Sequence, residues 1–110
     1  MGKTRRIMHS DVAERIGKLT KEIQKKIDLE FEKVNNKPIP GSNLDQLNLK
    51  DGVSTVHEYL SHNEFILAFE HLFYMIEETG IPILSGEFAE LLQISEILKI
   101  NIRTRNINFI

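Results

Sequence analysis

Histidine is the first side chain to consider for chemistry in this sequence, because the chain contains no cysteine. The four histidines are His9, His57, His62 and His71, and no two of them stand in an HxxxH or HExxH spacing. His57 and His62 are five residues apart, which would place them on different faces of a helix. A metal site needs three or four converging ligands, so the sequence predicts no metal site and no cofactor.

The carboxylates and hydroxyls also lack the spacing of a catalytic site. Acid–base chemistry on a glycosidic bond needs two carboxylates that converge across a cleft, whereas the acidic residues here recur at helix-surface spacings. The sequence contains no GxSxG, P-loop or GxGxxG motif. Ser54, Ser61 and Ser85 are explained by helix caps and turns. We therefore expect a protein that is not an enzyme.

Charge is distributed unevenly along the 110 residues. The net charge is +4 over residues 1–50, −9 over residues 51–98 and +3 over residues 99–110, and the middle block contains no Lys or Arg. Acidic residues on ordinary solvent-facing helices are one interpretation of this block. Ordinary surfaces interleave both signs, however, which favours a docking face whose potential steers a basic protein partner toward it.

The elements that position these residues follow from the apolar periodicity. After a basic arm at residues 1–9, a long amphipathic helix is predicted over residues 10–34, and a loop over residues 35–53. The apolar positions of this helix recur every three or four residues, at Val12, Ile16, Leu19, Ile23, Ile27, Phe31 and Val34.

Three further helices are predicted within an acidic helical core at residues 54–100. A short helix begins after Ser54 or Thr55, a nearly all-apolar helix runs from about Glu64 to Thr79, and a last helix is capped by Ser85. The core positions predicted for the two longer helices are Phe65, Ile66, Ala68, Phe69, Leu72, Phe73, Met75, Ile76, Phe88, Leu91, Leu92, Ser95 and Leu98.

The tail at residues 101–110 partly alternates apolar and polar residues, which predicts either a short strand or an irregular end. The fold class expected from these elements is all-α. We predict a single-domain bundle of about four helices with a long loop after the first.

Part of the sequence has a recognisable pattern of turns and apolar positions. It consists of the run HEYLSHNEFILAFEHL at residues 57–72, IEETGIPI at residues 76–83 and an apolar helix over residues 91–98. This pattern resembles the small, mostly helical immunity proteins of bacterial polymorphic toxin and contact-dependent growth inhibition systems, including the MafI-like group. The resemblance covers residues 53–100 and transfers no catalytic residue.

The resemblance implies a cytoplasmic antidote that binds one cognate toxin domain in a complex of about 1:1. Many such toxins are nucleases with basic active sites, which an acidic face would fit. The residues that we assign to toxin binding on this basis are Glu58, Glu70, His71, Tyr74, Glu77, Glu78, Glu87 and Glu90. Charge reversal at Glu77 or Glu78 should then weaken binding and leave folding intact.

A second interpretation assigns the activity to the first helix. A small self-associating regulator or adaptor would use Lys18, Lys21 and Lys25 on nucleic acid or on an acidic partner. The antidote interpretation expects no binding to nucleic acid or to a membrane, and the sequence contains no apolar run long enough to span one. Self-association is part of the regulator interpretation, and the antidote interpretation leaves homo-oligomer formation open.

Overall fold

The first helix, α1, is an amphipathic helix that spans His9–Lys33. The computed structural model describes residues 9–46, 49–103 and 105–110, with the side chains of all of these except His9 and Ser10. The predicted basic arm therefore lies outside the described residues apart from His9. The predicted apolar face is buried from Val12 to Phe31, and only Val34, one residue beyond the helix, is half-buried.

The connection after α1 is long, as predicted, and it is fixed to the helix by hydrogen bonds. Asn35 and Asn36 both have left-handed backbones, with φ of 54° and 59°, which ends the helix because asparagine tolerates this region well. The Gln24 side chain donates a hydrogen bond to the Leu49 carbonyl at 2.8 Å and accepts one from the Val53 amide at 3.2 Å. The buried Leu49 thereby joins the core.

Helices α2, Gly52–Ser61, and α3, Phe65–Thr79, are separated by a tight turn. The predicted caps of α2 are wrong, because the helix begins before Ser54, with Asp51 as its N-cap. Asn63 makes the turn with a left-handed backbone, φ 59°, and Glu64 is the N-cap of α3. Gly80 ends α3 in the left-handed conformation, with a φ of 69°, which glycine adopts without steric cost.

Helix α3 supplies much of the core. Phe69 and Phe73 are fully buried and meet edge to face, with ring centroids 5.3 Å apart. The prediction for Ile66 is wrong, because its side chain is 53% exposed. Apolar type alone does not distinguish a core position from an exposed one on a helix that is apolar nearly all round.

After Gly80 the chain forms strand β1, Pro82–Ile83, helix α4, Ser85–Leu98, and strand β2, Asn108–Phe109. The two strands pair in parallel, Pro82 with Asn108 and Ile83 with Phe109. Ser85 was predicted to cap α4, but the cap position is Leu84, whose amide donates to Glu87 Oε1 at 2.8 Å. Of the two endings predicted for the tail, the structure has the short strand.

The four helices share one core. Helix α1 contacts each of α2, α3 and α4, and α2 packs along α3. The predicted face of α4 is confirmed at Leu91 and Ser95, which are buried, and Ile94 joins them. The fold is thus a mostly helical bundle with a loop after α1 and a two-residue parallel strand pair.

Candidate protein-binding surface

The acidic block divides into two sets of side chains in the structure. In one set, each carboxylate contacts a cation from α1 or from the tail. We call this set the paired carboxylates: Glu70, Glu77, Glu87 and Glu90. All four were among the predicted toxin-binding residues. The separate basic and acidic stretches of the sequence therefore meet within the molecule.

Glu90 on α4 is held by Arg15 on α1 in a two-pronged contact. Arg15 Nε and Nη2 donate to the two carboxylate oxygens at 2.8 Å each, and Nη2 also donates to Gln93 Oε1 at 2.7 Å. Hydrogen bonding to Arg15, and then its positive charge, lower the pKa of Glu90 below the ordinary 4.5, although partial burial opposes the shift. The same hydrogen bonds raise the pKa of Arg15.

This contact predicts a pH-dependent part of the stability. Because the pKa of Glu90 is lower in the folded chain than in the unfolded chain, its stabilisation is fully present above about pH 5 and is lost as the pH falls through the folded pKa. We expect Glu90→Gln to lower the free energy of unfolding by about 0.5–1 kcal/mol at pH 7, since the pair is one-third exposed. Urea denaturation from pH 7 to pH 3 measures the effect.

The difference between wild type and Glu90→Gln should shrink as the pH falls through the folded pKa of Glu90, because protonated Glu90 is neutral, as glutamine is. Glu96→Gln, on the same helix, is the control, because Glu96 is exposed and takes part in none of the ion pairs among the described residues. A difference that stays constant over this pH range would contradict the assignment.

Glu87 lies deeper, with only 8% of its side chain exposed. Its Oε1 atom accepts a hydrogen bond from Lys26 Nζ at 2.6 Å and one from the Leu84 amide at 2.8 Å. Lys26 Nζ also donates to the Pro82 carbonyl at 3.2 Å. Glu87 therefore fixes the start of α4 and joins it to α1.

Arg105 joins the tail to α3. Its Nε and Nη2 donate to the two oxygens of Glu77 at 2.9 and 2.7 Å, and Nη1 donates to Glu70 at 3.3 Å. The guanidinium lies over the Phe73 ring, 4.6 Å from its centroid, in a cation–π arrangement. The hydrogen bonds to Glu77, more than the nearby negative charge, raise the pKa of Arg105.

The other acidic side chains near α3 remain on the surface. Glu64, Leu67, His71, Tyr74 and Glu78 follow one another at spacings of three or four residues and form one row along the helix. We call this row the α3 stripe. Its acidic ends and Leu67 are exposed, and its two rings are half-buried.

The α3 stripe has an aromatic centre. The rings of His71 and Tyr74 are 5.2 Å apart and tilted by 34°. Partial burial and, to a smaller extent, the negative charge of Glu78 raise the pKa of Tyr74 above its ordinary value of 10. Its hydroxyl is therefore protonated at neutral pH. An amphipathic ring between carboxylates is typical of an interface anchor.

Glu58 lies on α2, near the turn into α3. It is exposed, and its carboxylate is 3.6 Å from His62 Nδ1. Within the described ranges, no Lys or Arg forms an ion pair with Glu58, Glu64 or Glu78. Of the eight predicted toxin-binding residues, Glu58 and Glu78 are thus carboxylates outside such pairs, and His71, Tyr74 and Glu78 lie in the stripe.

Sequence reasoning missed the cations that bind the other four carboxylates. Arg15, Lys26 and Arg105 lie 75, 61 and 28 residues from Glu90, Glu87 and Glu77. No spacing rule connects residues so far apart along the chain. The exposed Ile66, one position before Leu67, was assigned to the core and so was also missed as a surface residue.

The exposed lysines of α1 have a different setting. Lys18, Lys21 and Lys25 are exposed, and so are Glu14 and Glu22 on the same helix. This surface therefore carries both signs of charge. Phosphate binding depends on clustered positive charge, and the mixed surface does not favour it.

We searched the described part of the chain for a metal-binding cluster and for a membrane-spanning helix, and it offers neither. It holds no cluster of three or more His, Asp or Glu side chains arranged to bind a metal ion. Its longest helix, α1, carries too many polar residues to cross a bilayer, and none of the other described helices has the length and apolar character to do so.

Comparison of the chain with protein-family models, curated proteins and solved structures gives no match. The resemblance to immunity proteins therefore rests on the residues of this sequence alone and stays a prediction.

Proposed function

We propose that this chain is an immunity protein that binds a basic toxin domain, of the nuclease type, through the α3 stripe and Glu58. The observation that supports this proposal is the arrangement of the stripe. Exposed carboxylates at Glu64 and Glu78 flank the apolar and aromatic side chains of Leu67, His71 and Tyr74. Specific interfaces combine an aromatic centre with a polar rim in this way.

The dimensions and the charge of the stripe suit this role. The 14 residue steps from Glu64 to Glu78 extend over about 21 Å of helix, which is comparable to one side of an interface that buries about 1,200–2,000 Å² in total. A nuclease site attracts phosphates through Lys and Arg. The carboxylates would take the place of those phosphates and cover the site, while Tyr74 fills an apolar pocket.

The ion pairs of the structure make Glu78 a better position than Glu77 for a charge-reversal test of binding. Charge reversal at Glu77, expected from the sequence to leave folding intact, would remove the partner of Arg105. Glu78 has no such internal role among the described residues, so Glu78→Lys separates binding from stability. The same holds for Glu64→Lys.

The experiment has two steps. The protein encoded next to this chain in its own genome is expressed alone in bacteria and then together with this chain, and growth is compared. We expect growth arrest in the first case and full growth in the second. Calorimetry with an inactive variant of that protein then measures the affinity for the wild-type chain and for Glu64→Lys/Glu78→Lys.

We expect the double charge reversal to weaken binding by about 10- to 100-fold, because each carboxylate faces positive charge in the complex. The control is Glu96→Lys on α4, which is matched in charge to the single variant Glu78→Lys and should bind as the wild type does. An equal loss in both variants would contradict the assignment to the stripe. Binding to nucleic acid that is abolished by neutralising Lys18, Lys21 and Lys25 would instead favour the regulator interpretation.

A further inference from the structure

Helix α3 carries a binding site for a guanidinium group, and Arg105 of the tail fills it. The two oxygens of Glu77 accept hydrogen bonds from Arg105 Nε and Nη2 at 2.9 and 2.7 Å, and Glu70 accepts one from Nη1 at 3.3 Å. The Phe73 ring forms the floor, with its centroid 4.6 Å from the guanidinium carbon. We call Glu70, Phe73 and Glu77 the guanidinium site.

The chemistry of the guanidinium site selects arginine over lysine. The fork of a guanidinium matches the two oxygens of one carboxylate, and its flat face stacks on an aromatic ring, whereas an ammonium group has neither a fork nor a flat face. The Phe73 ring is fully buried with Arg105 in place, so a group that replaces Arg105 must also cover this ring. The guanidinium of another arginine meets both requirements.

The guanidinium site adjoins the centre of the α3 stripe. Tyr74 comes four residues after Glu70 and three before Glu77, and residues at these spacings are neighbours on a helix surface. The Glu70 side chain is 43% exposed, and its bond to Arg105 is the longest of the three. One carboxylate of the site therefore already borders the surface proposed for binding.

The backbone on both sides of Arg105 is fixed by contacts in which the Arg105 side chain takes no part. Before it, Ile102 is buried in the core. After it, the Asn108 side chain donates to the Gly80 carbonyl at 2.8 Å, and β2 pairs with β1. Arg105 can therefore leave the guanidinium site by rotation of its side chain alone, while the tail stays in place.

We propose that Arg105 holds the guanidinium site in the free chain and that an arginine of the partner displaces it on binding. Arg105 is thus an internal competitor, which neutralises Glu70 and Glu77 and covers Phe73 until the incoming group takes over the same contacts. The hydrogen bonds that Arg105 gives up are made again by that group. This inference rests on the proposed binding of a basic partner at the α3 stripe, and it names arginine as a residue that the partner must supply.

The test uses fluorescently labelled hexa-arginine and hexa-lysine peptides as probes. Neither peptide is a toxin, so failure here is distinguishable from failure of the growth experiment. Fluorescence anisotropy measures the dissociation constants of both peptides for Arg105→Ala and for the matched control Arg103→Ala, which removes the same charge from an exposed position. Circular dichroism verifies that each variant is folded at the temperature of the measurement.

We expect Arg105→Ala to bind hexa-arginine about 10-fold more tightly than Arg103→Ala does, because it opens a site with a fork-shaped acceptor. The gain for hexa-lysine should be less than about 3-fold. Addition of Glu77→Gln to Arg105→Ala should abolish the gain. Equal gains for the two peptides would overturn the proposal, since they would show attraction by charge alone, and so would equal affinities of the two single variants.

A second measurement uses the wild-type chain and does not depend on the folding of a variant. In nuclear magnetic resonance spectra, the Nε–H signal of Arg105 reports its bond to Glu77. Saturation with hexa-arginine should shift this signal toward the position of the exposed Arg103 signal, because Arg105 then turns into solvent. A bound peptide that leaves the Arg105 signal unchanged would overturn the exchange, and so would the absence of binding.

Discussion

Replacement of Arg105 by alanine should lower the free energy of unfolding by about 2–3 kcal/mol. The substitution removes a two-pronged contact with Glu77, a longer bond to Glu70 and the cation over Phe73. Hydrogen bonds between charged groups contribute about 1.5–3 kcal/mol when they are partly buried, and the Arg105 and Glu77 side chains are only 24% and 22% exposed. Chemical denaturation followed by circular dichroism measures the loss.

Two variants make the test specific to this contact. Arg103→Ala removes a nearby positive charge that is exposed and forms no ion pair among the described residues, so it should change the stability by less than about 0.5 kcal/mol. Arg105→Lys keeps the charge but lacks the planar fork, and its stability should fall between the two. Equal stability of Arg103→Ala and Arg105→Ala would contradict the role of Arg105 as the anchor of the tail.

Replacement of Lys26 by methionine should have an effect of similar size, about 2–3 kcal/mol. Methionine keeps the apolar stem of the side chain but leaves the Glu87 carboxylate, 8% exposed, without its cation. Removing one member of a buried pair costs about 3–5 kcal/mol. The cost is smaller here because Lys26 is 26% exposed and the Leu84 amide still donates to Glu87.

Lys25→Met is the matched control for this prediction. Lys25 is adjacent in sequence, exposed, and in no ion pair with a described residue, so its loss should leave the denaturation midpoint nearly unchanged. If Lys26→Met proved as stable as Lys25→Met, the contact between Lys26 and Glu87 would not hold α1 to α4 in solution.

The helices and most of the core follow from local sequence. In α1 the apolar positions recur at a helical period over 20 residues, and each from Val12 to Phe31 is buried. Such a signal is strong because every turn repeats it. The same approach failed at Ile66, since α3 is apolar on nearly all sides and its period does not indicate which side faces solvent.

The ends of the helices were predicted less well, because several residues nearby can serve as caps. Ser54, Thr55 and Ser85 are good cap types, yet α2 begins at Gly52 and α4 is preceded by Leu84. At α4 the Glu87 side chain reaches back and accepts from the Leu84 amide, so the side-chain hydrogen bond at this helix start comes from a residue within the first turn and not from the cap residue. Strand β1 has only two residues, too few for a period.

The candidate surface was predictable in part. The acidic block and three residues of the α3 stripe, His71, Tyr74 and Glu78, were predicted from the sequence, because charge and helical spacing are local properties. The pairing of Glu70, Glu77, Glu87 and Glu90 with distant cations was not, because it depends on how the helices pack. Net charge along a sequence therefore overstates the charge that a folded surface offers to a partner.

The division between paired and exposed carboxylates has a consequence for how this sequence can diverge. A substitution at Glu77 or Glu87 disturbs the scaffold and is constrained by stability. Substitutions at Glu64 and Glu78 change only the chemistry of an outward-facing row. The binding that we propose for the α3 stripe would therefore be able to change its partner one residue at a time, while the bundle that carries the stripe stays intact.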